Sequence, residues 1–202
     1  MKTLETPLDP EKVKELKVND SFYVTGKIFT ARDAAHEKLL EIHKEGKEPP
    51  FPLADYPCYH CGPVMKKENG EWKLVSAGPT TSIRMEIFED EFMDKFGTKI
   101  FVGKGGMGEK TLKALQEHGG VYAQFTGGAG SLMAGSVKKV DDVFYLDELG
   151  IPEAIWLLNV EEFGPLVVTM DPHGSSLHEE ISEKVSNNLD RIKKEISAET
   201  SK

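Results

Sequence analysis

The hydrophobic positions alternate between strand-like and helix-like spacing along the chain. The run "SFYVTGKIF" predicts a strand, and residues 31–44 carry Ala35, Leu39 and Ile42 at helical spacing. The succession recurs in "TKIFV", "EKTLKALQEHG" and "VYAQF", which predict a strand, a helix and a second strand. Because a helical crossover brings the second strand back parallel to the first, we expect a parallel pair here.

A hairpin, a helix and three strands complete the predicted pattern. Asn69-Gly70 separates two short polar-apolar runs and predicts a hairpin, since both central positions of a type I′ turn favour positive φ. A helix is predicted over residues 82–95, with the apolar Ile83, Ile87, Phe88 and Phe92 on one side. "DVFYL", "AIWLLNV" and "LVVTM" predict three buried strands.

These elements together predict a mixed α/β or α+β fold in one domain that covers residues 1–202. Within it we expect an extended N-terminal segment over residues 1–19 and a charged C-terminal helix and tail over residues 178–202. With hydrophobic residues at 39% and charged residues at 29%, the composition is that of a globular protein.

The charge balance narrows the classes of partner. A net charge of −9 argues against nonspecific binding of nucleic acid or anionic membranes, because the overall field repels polyanions. No apolar run is long enough to span a bilayer, and the N-terminus lacks the features of a signal peptide, so we expect a cytoplasmic protein. The two cysteines fit a reducing compartment.

A small anionic ligand would need a local cluster of cations, and the three arginines are Arg32, Arg84 and Arg191. Arg191 lies in a charged helix that reads as a solvated face. The segment "RDAAH" places Arg32 and His36 one turn apart at the start of a helix, where the helix dipole favours a carboxylate. The alternative without a ligand is a surface arginine beside a histidine whose hydrogen bonds are made within the chain.

The segment "GPTTSIRME" combines threonines with a cation at a helix start. The hydroxyl of Thr80 or Thr81 could cap the helix. Capping does not explain Arg84 in the first turn, where the dipole prefers an anion. An external anion bound at this position would reconcile the two observations.

The loop "GKGGMG" fits the glycine spacing of a dinucleotide fingerprint, but the strand that follows ends without the acidic residue that binds ribose. A P-loop is also excluded, because Glu109 displaces the lysine from its phosphate-binding position. The remaining predictions are an anion-binding turn that presents backbone N–H groups and Lys104, or a flexible surface connection.

Cys58 and Cys61 form a C-x-x-C pair. Gly62 and Pro63 follow it instead of a helix, which argues against a redox dithiol. No second cysteine pair completes a zinc site, and two thiolates are too few for an iron–sulfur cluster. We therefore predict two small buried residues and no metal ligands on this chain.

The stretches "KIFTARDAAHEKL", "GPTTSIRME", "FVGKGGMG", "TGGAG" and "EAIWLLNVEEFGPLVVTMDPHGSSL" together resemble the iron–sulfur class I fumarate hydratases. Residues 20–177, approximately, are similar to the β subunit that this family shares with L(+)-tartrate dehydratase. The resemblance implies a swivelling β/β/α domain with a mixed sheet and flanking helices. It also implies a partner α subunit that ligates a [4Fe-4S] cluster through three cysteines, and a higher oligomer of αβ units.

The resemblance further implies a hydro-lyase, active only with the α subunit, that reversibly hydrates fumarate to (S)-malate. Dehydration of L(+)-tartrate is one alternative, and a nucleotide-binding module that uses "GKGGMG" is another. The implied catalytic residue is Thr80, and the implied substrate-binding residues are Arg32, His36, Thr81, Arg84 and Lys104. The chain departs from the family pattern at "CYHCGP", where mainly apolar and aromatic residues are expected.

Overall fold

The computed structural model describes residues 2–200, which form nine strands and seven α-helices. The strands are β1 Lys2–Glu5, β2 Ser21–Thr30, β3 Cys58–Tyr59, β4 Val64–Glu68, β5 Glu71–Ser76, β6 Ile100–Gly103, β7 Val121–Gln124, β8 Val137–Phe144 and β9 Ile155–Met170. The helices are α1 Pro10–Lys14, α2 Asp33–Lys44, α3 Glu86–Phe96, α4 Glu109–His118, α5 Gly130–Ser136, α6 Leu146–Leu149 and α7 Leu177–Thr200. Short 3₁₀ segments cover Leu53–Asp55 and Ser82–Met85.

The main sheet has seven strands in the order β1-β2-β3-β6-β7-β9-β8. The strands from β1 through β7 in this order run parallel, whereas β9 runs antiparallel to its neighbours. An additional antiparallel pairing joins β9 to β2. Strands β2, β3, β6, β7 and β9 therefore close into a barrel-like ring, with β1 and β8 attached outside it.

Two hydrophobic cores lie on the two sides of this sheet. Successive strand residues point to opposite faces, so neighbours such as Tyr59 and Cys58 belong to different cores. The inner core includes Phe22, Val24, Ile28, Tyr59, Val102, Trp156 and Leu158. The outer core packs α2, α3 and α4 against the sheet and includes Phe29, Leu39, Cys58, Phe92, Phe101, Leu115 and Tyr122.

The structure confirms the mixed α+β fold and several of its predicted elements. Strands β6 and β7 pair in parallel, with Ile100 opposite Val121. Strands β4 and β5 form the predicted antiparallel hairpin, and its central residues Asn69 and Gly70 have φ values of 53° and 89°.

The prediction of three separate buried strands near the C-terminus is wrong, because "AIWLLNV" and "LVVTM" belong to the single strand β9. Positive φ at Glu162 and Gly164 and register shifts along its pairings bend β9, so one strand pairs with β8 in its first half and with β7 in its second. Strand β8 is only partly buried because it lies outside the ring.

The apolar side predicted for the helix over residues 82–95 is only partly buried. Ile83 and Ile87 are 47% and 74% exposed, and Glu89 and Phe92 are buried instead. The segment begins as a 3₁₀ turn with 3.0 residues per turn, so its first residues do not continue the helical period assumed for α3.

The terminal segments contain regular structure. Within residues 2–19, β1 pairs in parallel with β2, and Asp9 caps the short helix α1 by accepting a hydrogen bond from the Glu11 N–H. The predicted C-terminal charged helix corresponds to α7, while Met1 and residues 201–202 lie outside the described residues. No helix within residues 2–200 combines the length and apolar character needed to cross a membrane.

The two tryptophans offer a matched test of the inner core. Trp156 is fully buried, donates its indole N–H to the Ile151 carbonyl at 2.9 Å and packs edge-on against the partly buried Trp72. We expect Trp156→Ala to lower the free energy of unfolding by about 3–5 kcal/mol, because it leaves a cavity in the core. Trp72→Ala should cost clearly less in the same urea denaturation experiment, and equal losses would contradict this assignment of the core.

Candidate functional site

The candidate site lies where the parallel strands β2, β3 and β6 end. Arg32 follows β2, His60 follows β3 and Lys104 follows β6. Because parallel strands end at the same edge of a sheet, these residues lie along one edge, at the carboxyl ends of the strands, where α/β proteins commonly bind ligands.

Thr80 is inserted between the ends of two of these strands. Its N–H donates to the His60 carbonyl at 2.7 Å, and its own carbonyl accepts from the Lys104 N–H at 3.2 Å. The next residue, Thr81, forms a parallel bridge with Lys104. The segment "GPTT" thus fills the place where β3 and β6 separate, and its backbone position is fixed from both sides.

The Lys104 side chain is exposed and runs past the loop "TGGAG". A Cβ atom at Gly127 would lie 3.6 Å from Lys104 Cδ, so the glycine brings backbone and lysine stem into contact. The ammonium group therefore extends from the same edge as Thr80.

Arg32 occupies the N-cap position of α2 and faces Glu153. Its Nε lies 3.2 Å from Glu153 Oε1, although the N–H is not aligned for a hydrogen bond. The other carboxylate oxygen accepts from the Ala34 N–H at 3.2 Å. The start of α2 thus holds a carboxylate, as its dipole favours, and that carboxylate belongs to the chain itself.

Arg84 also has an internal partner. Its Nη2 donates to Asp33 Oδ2 at 2.6 Å, and both side chains are nearly half exposed. Asp33 therefore supplies the anion for which the sequence predicted an external ligand. The side chain of Thr81 does not cap the 3₁₀ segment Ser82–Met85, so the predicted capping is wrong for this residue.

The structure brings five of the six predicted site residues to the same edge. Arg84 reaches Asp33, the chain neighbour of Arg32, while Thr81 pairs with Lys104 and Thr80 bonds its backbone. The sixth, His36, lies beneath this edge and is fully buried.

The glycine loop after β6 binds an internal carboxylate rather than presenting a free helix start. Glu86 accepts hydrogen bonds from the N–H groups of Gly108 at 2.8 Å and Lys110 at 3.2 Å, which lie at the beginning of α4. A dinucleotide would need these donors for its pyrophosphate. This occupation argues against the nucleotide-binding alternative.

A cluster of four polar side chains lies below the edge, and we call His36, Cys58, His60 and Glu89 the buried cluster. All four are fully buried. His60 Nε2 lies 3.0 Å from Glu89 Oε1, and His36 Nε2 lies 3.9 Å from the same oxygen and 4.0 Å from Cys58 Sγ. The contact between His60 and Glu89 is close but misaligned for a hydrogen bond.

Burial dominates the protonation of the buried cluster. It raises the pKa of Glu89 to about 8, partly opposed by His36, and lowers the pKa of His60 to about 3. It also lowers the pKa of His36, and burial together with Glu89 raises the pKa of the Cys58 thiol. Without an added positive charge, the environment thus favours the neutral forms of all four groups.

Ser82 links the buried cluster to the edge. His60 Nδ1 lies 2.8 Å from Ser82 Oγ, and the Ser82 N–H donates to the Lys104 carbonyl at 3.1 Å. A Cβ atom at Gly103 would collide with the Ser82 hydroxyl, so this strand end requires glycine.

Sequence reasoning missed the acidic partners Asp33, Glu86 and Glu153 and the buried residues His60 and Glu89. Strand alternation was the available signal for His60, since residues 58 and 60 face the same side of β3. The two cysteines are free and buried, as predicted, but they belong to different cores and do not form a dithiol site.

Gly62 makes room for Arg32, which gives a local test of the site. A Cβ atom at Gly62 would lie 2.5 Å from Arg32 Nη1 and 2.9 Å from the Pro152 carbonyl oxygen. Gly62→Ala should lower the free energy of unfolding by about 1–3 kcal/mol through overpacking. Gly135→Ala meets nothing within 4 Å and is the control. Urea denaturation compares the two, and an unaffected Gly62→Ala variant would argue against the placement of Arg32.

The comparisons with known proteins cover almost the whole chain. Residues 2–181 match the family model described as "Fumarase C-terminus". The chain is 49% identical over 185 residues to a putative L(+)-tartrate dehydratase subunit beta of Methanocaldococcus jannaschii, which covers 92% of this chain and 95% of that protein. It is 40% identical over 196 residues to the L(+)-tartrate dehydratase subunit beta of Escherichia coli K12, at 96% and 95% coverage.

A longer relative is the putative fumarate hydratase class I of Geobacillus stearothermophilus, 47% identical over 195 residues. The match covers 96% of this chain but only 37% of that protein. These matches confirm the resemblance predicted from the motifs, and the chain belongs to the Fumarase C-terminus family.

Proposed function

We propose that this chain is the β subunit of a two-subunit iron–sulfur hydro-lyase that reversibly hydrates fumarate to (S)-malate. The observation that carries the proposal is the gathering of Arg32, Thr80, Thr81, Arg84 and Lys104 at one edge of the sheet. The names of its relatives, which are hydratase and dehydratase subunits, support the reaction class.

The cations suit a small dicarboxylate. A dianion approaching a chain of net charge −9 needs fixed positive charges, and Arg32, Arg84 and Lys104 supply them at one place. Glu153 and Asp33 orient the two guanidinium groups, whose remaining N–H donors can grip carboxylates. In this proposal the substrate lies between the arginines and Lys104.

Thr80 is the proposed catalytic hydroxyl. Dehydration of malate removes a proton from the carbon beside one carboxylate while hydroxide leaves the neighbouring carbon, and hydration reverses both transfers. A threonine hydroxyl is a poor base near neutral pH, so its activating carboxylate would come from the partner subunit. The two backbone hydrogen bonds of Thr80 hold it in place for the transfer.

Thr81 and His36 have supporting places in this proposal. Thr81 is exposed at the same edge and is positioned to donate a hydrogen bond to the substrate. His36 is fully buried, and its Nδ1 donates to the Arg32 carbonyl at 2.8 Å, so it would act by holding Arg32.

The iron–sulfur cluster would belong to the partner subunit. Cys58 and Cys61 are buried in separate cores, and even an open cubane needs three thiolates, so the residues of this chain do not fit a cluster. The match to only 37% of the Geobacillus protein supports a reaction that requires additional sequence, here a separate α subunit. Assembly into a higher oligomer of αβ units and a cytoplasmic location, which suits two free cysteines, complete the proposal.

L(+)-tartrate is the second candidate substrate, favoured by the names of the Methanocaldococcus and Escherichia relatives. Tartrate and malate are both hydroxylated C4 dicarboxylates, so the same cations would bind either acid. The preference would depend on groups that meet the additional hydroxyl.

Activity of the assembled enzyme tests the proposal. The chain is purified alone and together with its cognate α chain under anaerobic conditions, and turnover of fumarate, (S)-malate and L(+)-tartrate is measured. We expect the complex to turn over fumarate and (S)-malate and the isolated chain to be inactive. Turnover by the isolated chain, or no turnover of any of the three acids by the complex, would contradict the proposal.

Substitution of Lys104 tests the site more specifically than the activity of the assembled enzyme does. Removing a fixed cation that stabilises developing negative charge should lower kcat/KM by about 100-fold or more in Lys104→Ala. Lys110→Ala is the matched control, because Lys110 is an exposed lysine six residues further along the same segment and only its backbone N–H bonds Glu86. Equal rates for the two variants would remove Lys104 from the site.

A further inference from the structure

The buried cluster has the form of a ligand set rather than of an ordinary core. Nitrogen, sulfur and oxygen donors from α2, β3 and α3 converge in a region without solvent. The nearest ligand atoms of His36, Cys58 and His60 lie within 4.8 Å of one another. Glu89 Oε1 lies 3.0 Å from His60 Nε2 and 3.9 Å from His36 Nε2.

The outer hydrogen bonds of the two imidazole rings leave Nε2 of each ring directed at the centre of the cluster. His36 Nδ1 lies 2.8 Å from the Arg32 carbonyl, which can only accept, so Nδ1 carries the hydrogen and Nε2 carries the lone pair. His60 Nδ1 lies 2.8 Å from the Ser82 hydroxyl, which can accept its hydrogen and so leave the lone pair on Nε2. Outer partners of this kind are typical of histidines that ligate metals.

Glu89 is otherwise difficult to account for. Both of its carboxylate oxygens are buried and lack a hydrogen-bond partner within the described residues, and so does His60 Nε2. A buried polar atom without a partner costs free energy, so each such atom in a native protein requires an explanation. One proton on Glu89 would serve a single oxygen and a single nitrogen, whereas a cation at the centre would serve the donors of all four residues.

We propose that His36, Cys58, His60 and Glu89 bind one Zn²⁺ ion in a closed tetrahedral site. The charges balance, since a thiolate and a carboxylate neutralise a divalent cation that is removed from solvent. Zn–N distances near 2.0 Å and a single Zn–S distance near 2.3 Å place tetrahedral donors about 3.3–3.6 Å apart. His60 and Glu89 lie 3.0 Å apart, whereas His36 lies 3.9 Å from Glu89 and 4.0 Å from Cys58, so the side chains of His36 and Cys58 must move inward to seat the ion.

The ion would stabilise the backbone beneath the candidate site. His36 holds the carbonyl of Arg32, and the carbonyl of His60 accepts the hydrogen bond from Thr80. A shared ion would therefore fix the backbone of both residues from below. Because the four ligand side chains are fully buried, the role is structural, and the ion enters while the chain folds.

Metal content and cobalt substitution test the site without any measurement of activity. The full chain is produced without a polyhistidine tag in zinc-supplemented medium, washed with a chelator and analysed by mass spectrometry for metals. We expect about one zinc per chain, as for a closed structural site. Protein grown with Co²⁺ should show a thiolate-to-cobalt charge-transfer band in the near ultraviolet and the strong visible bands of tetrahedral cobalt.

The two cysteines provide matched variants. Cys58→Ser should abolish the thiolate-to-cobalt band and weaken zinc retention by at least about 100-fold, because it removes a ligand. Cys61→Ser alters an equally buried cysteine that belongs to the inner core, and it should keep both. Glu89→Gln should keep the band but lose zinc faster to a competing chelator.

Two outcomes would overturn the proposal. Folded wild-type protein with less than about a tenth of an equivalent of zinc and no cobalt–thiolate band would show that the cluster holds protons only. Loss of the band in Cys61→Ser to the same extent as in Cys58→Ser would refute the ligand assignment. The wild-type measurements decide the matter even if Cys58→Ser fails to fold.

Discussion

The candidate site depends on the pair of backbone hydrogen bonds that place Thr80 between His60 and Lys104. Strands β3 and β6 separate at this point, and buried backbone groups need partners. The segment "GPTT" supplies them and extends the sheet beyond the strand ends. Because Arg84 follows four residues later, in the short 3₁₀ segment, the same insertion also carries a guanidinium group to the start of α2. The local pairing thus assembles residues that are widely separated in the sequence.

A second constraint is the pairing of positive groups at this edge with carboxylates of the chain itself. Glu153 serves Arg32 and the start of α2, Asp33 serves Arg84, and Glu86 serves the start of α4. These contacts orient the arginines before any ligand arrives, which reduces the entropy lost on binding. The contact of Glu86 also occupies N–H groups of the glycine loop that a bound nucleotide would need. Under the proposed function, a dicarboxylate would use the guanidinium donors that Glu153 and Asp33 leave free.

Much of the fold follows from the sequence because its elements are local. The hairpin at Asn69-Gly70 and the parallel pair β6 and β7 depend on turn chemistry and on a short crossover, and both were predicted. The long strand β9 was not, because Glu162 and Gly164 look like a strand break, whereas in the folded chain they bend a strand that closes the ring. The exposed Ile83 and Ile87 show the same limit of sequence-based prediction. The 3₁₀ segment at the start changes which residues face the core, and its position depends on tertiary packing.

The candidate site was less predictable from the sequence than the fold. The motifs that hold Thr80, Arg84 and Lys104 are visible in the sequence. The acidic partners of the two arginines, Asp33 for Arg84 and Glu153 for Arg32, lie far from them along the chain, and only the fold brings them near. The C-x-x-C spacing suggests that Cys58 and Cys61 act as a pair, but their side chains lie in different cores. Cys58 instead meets His36, His60 and Glu89, which come from three separate parts of the chain.

The buried cluster and the edge above it share hydrogen bonds. The carbonyl of Arg32 accepts from both the N–H and the Nδ1 of His36, and the carbonyl of His60 accepts from the N–H of Thr80. A displacement of either histidine would therefore disturb hydrogen bonds that hold the backbone of the candidate site, so the buried cluster and the edge are coupled.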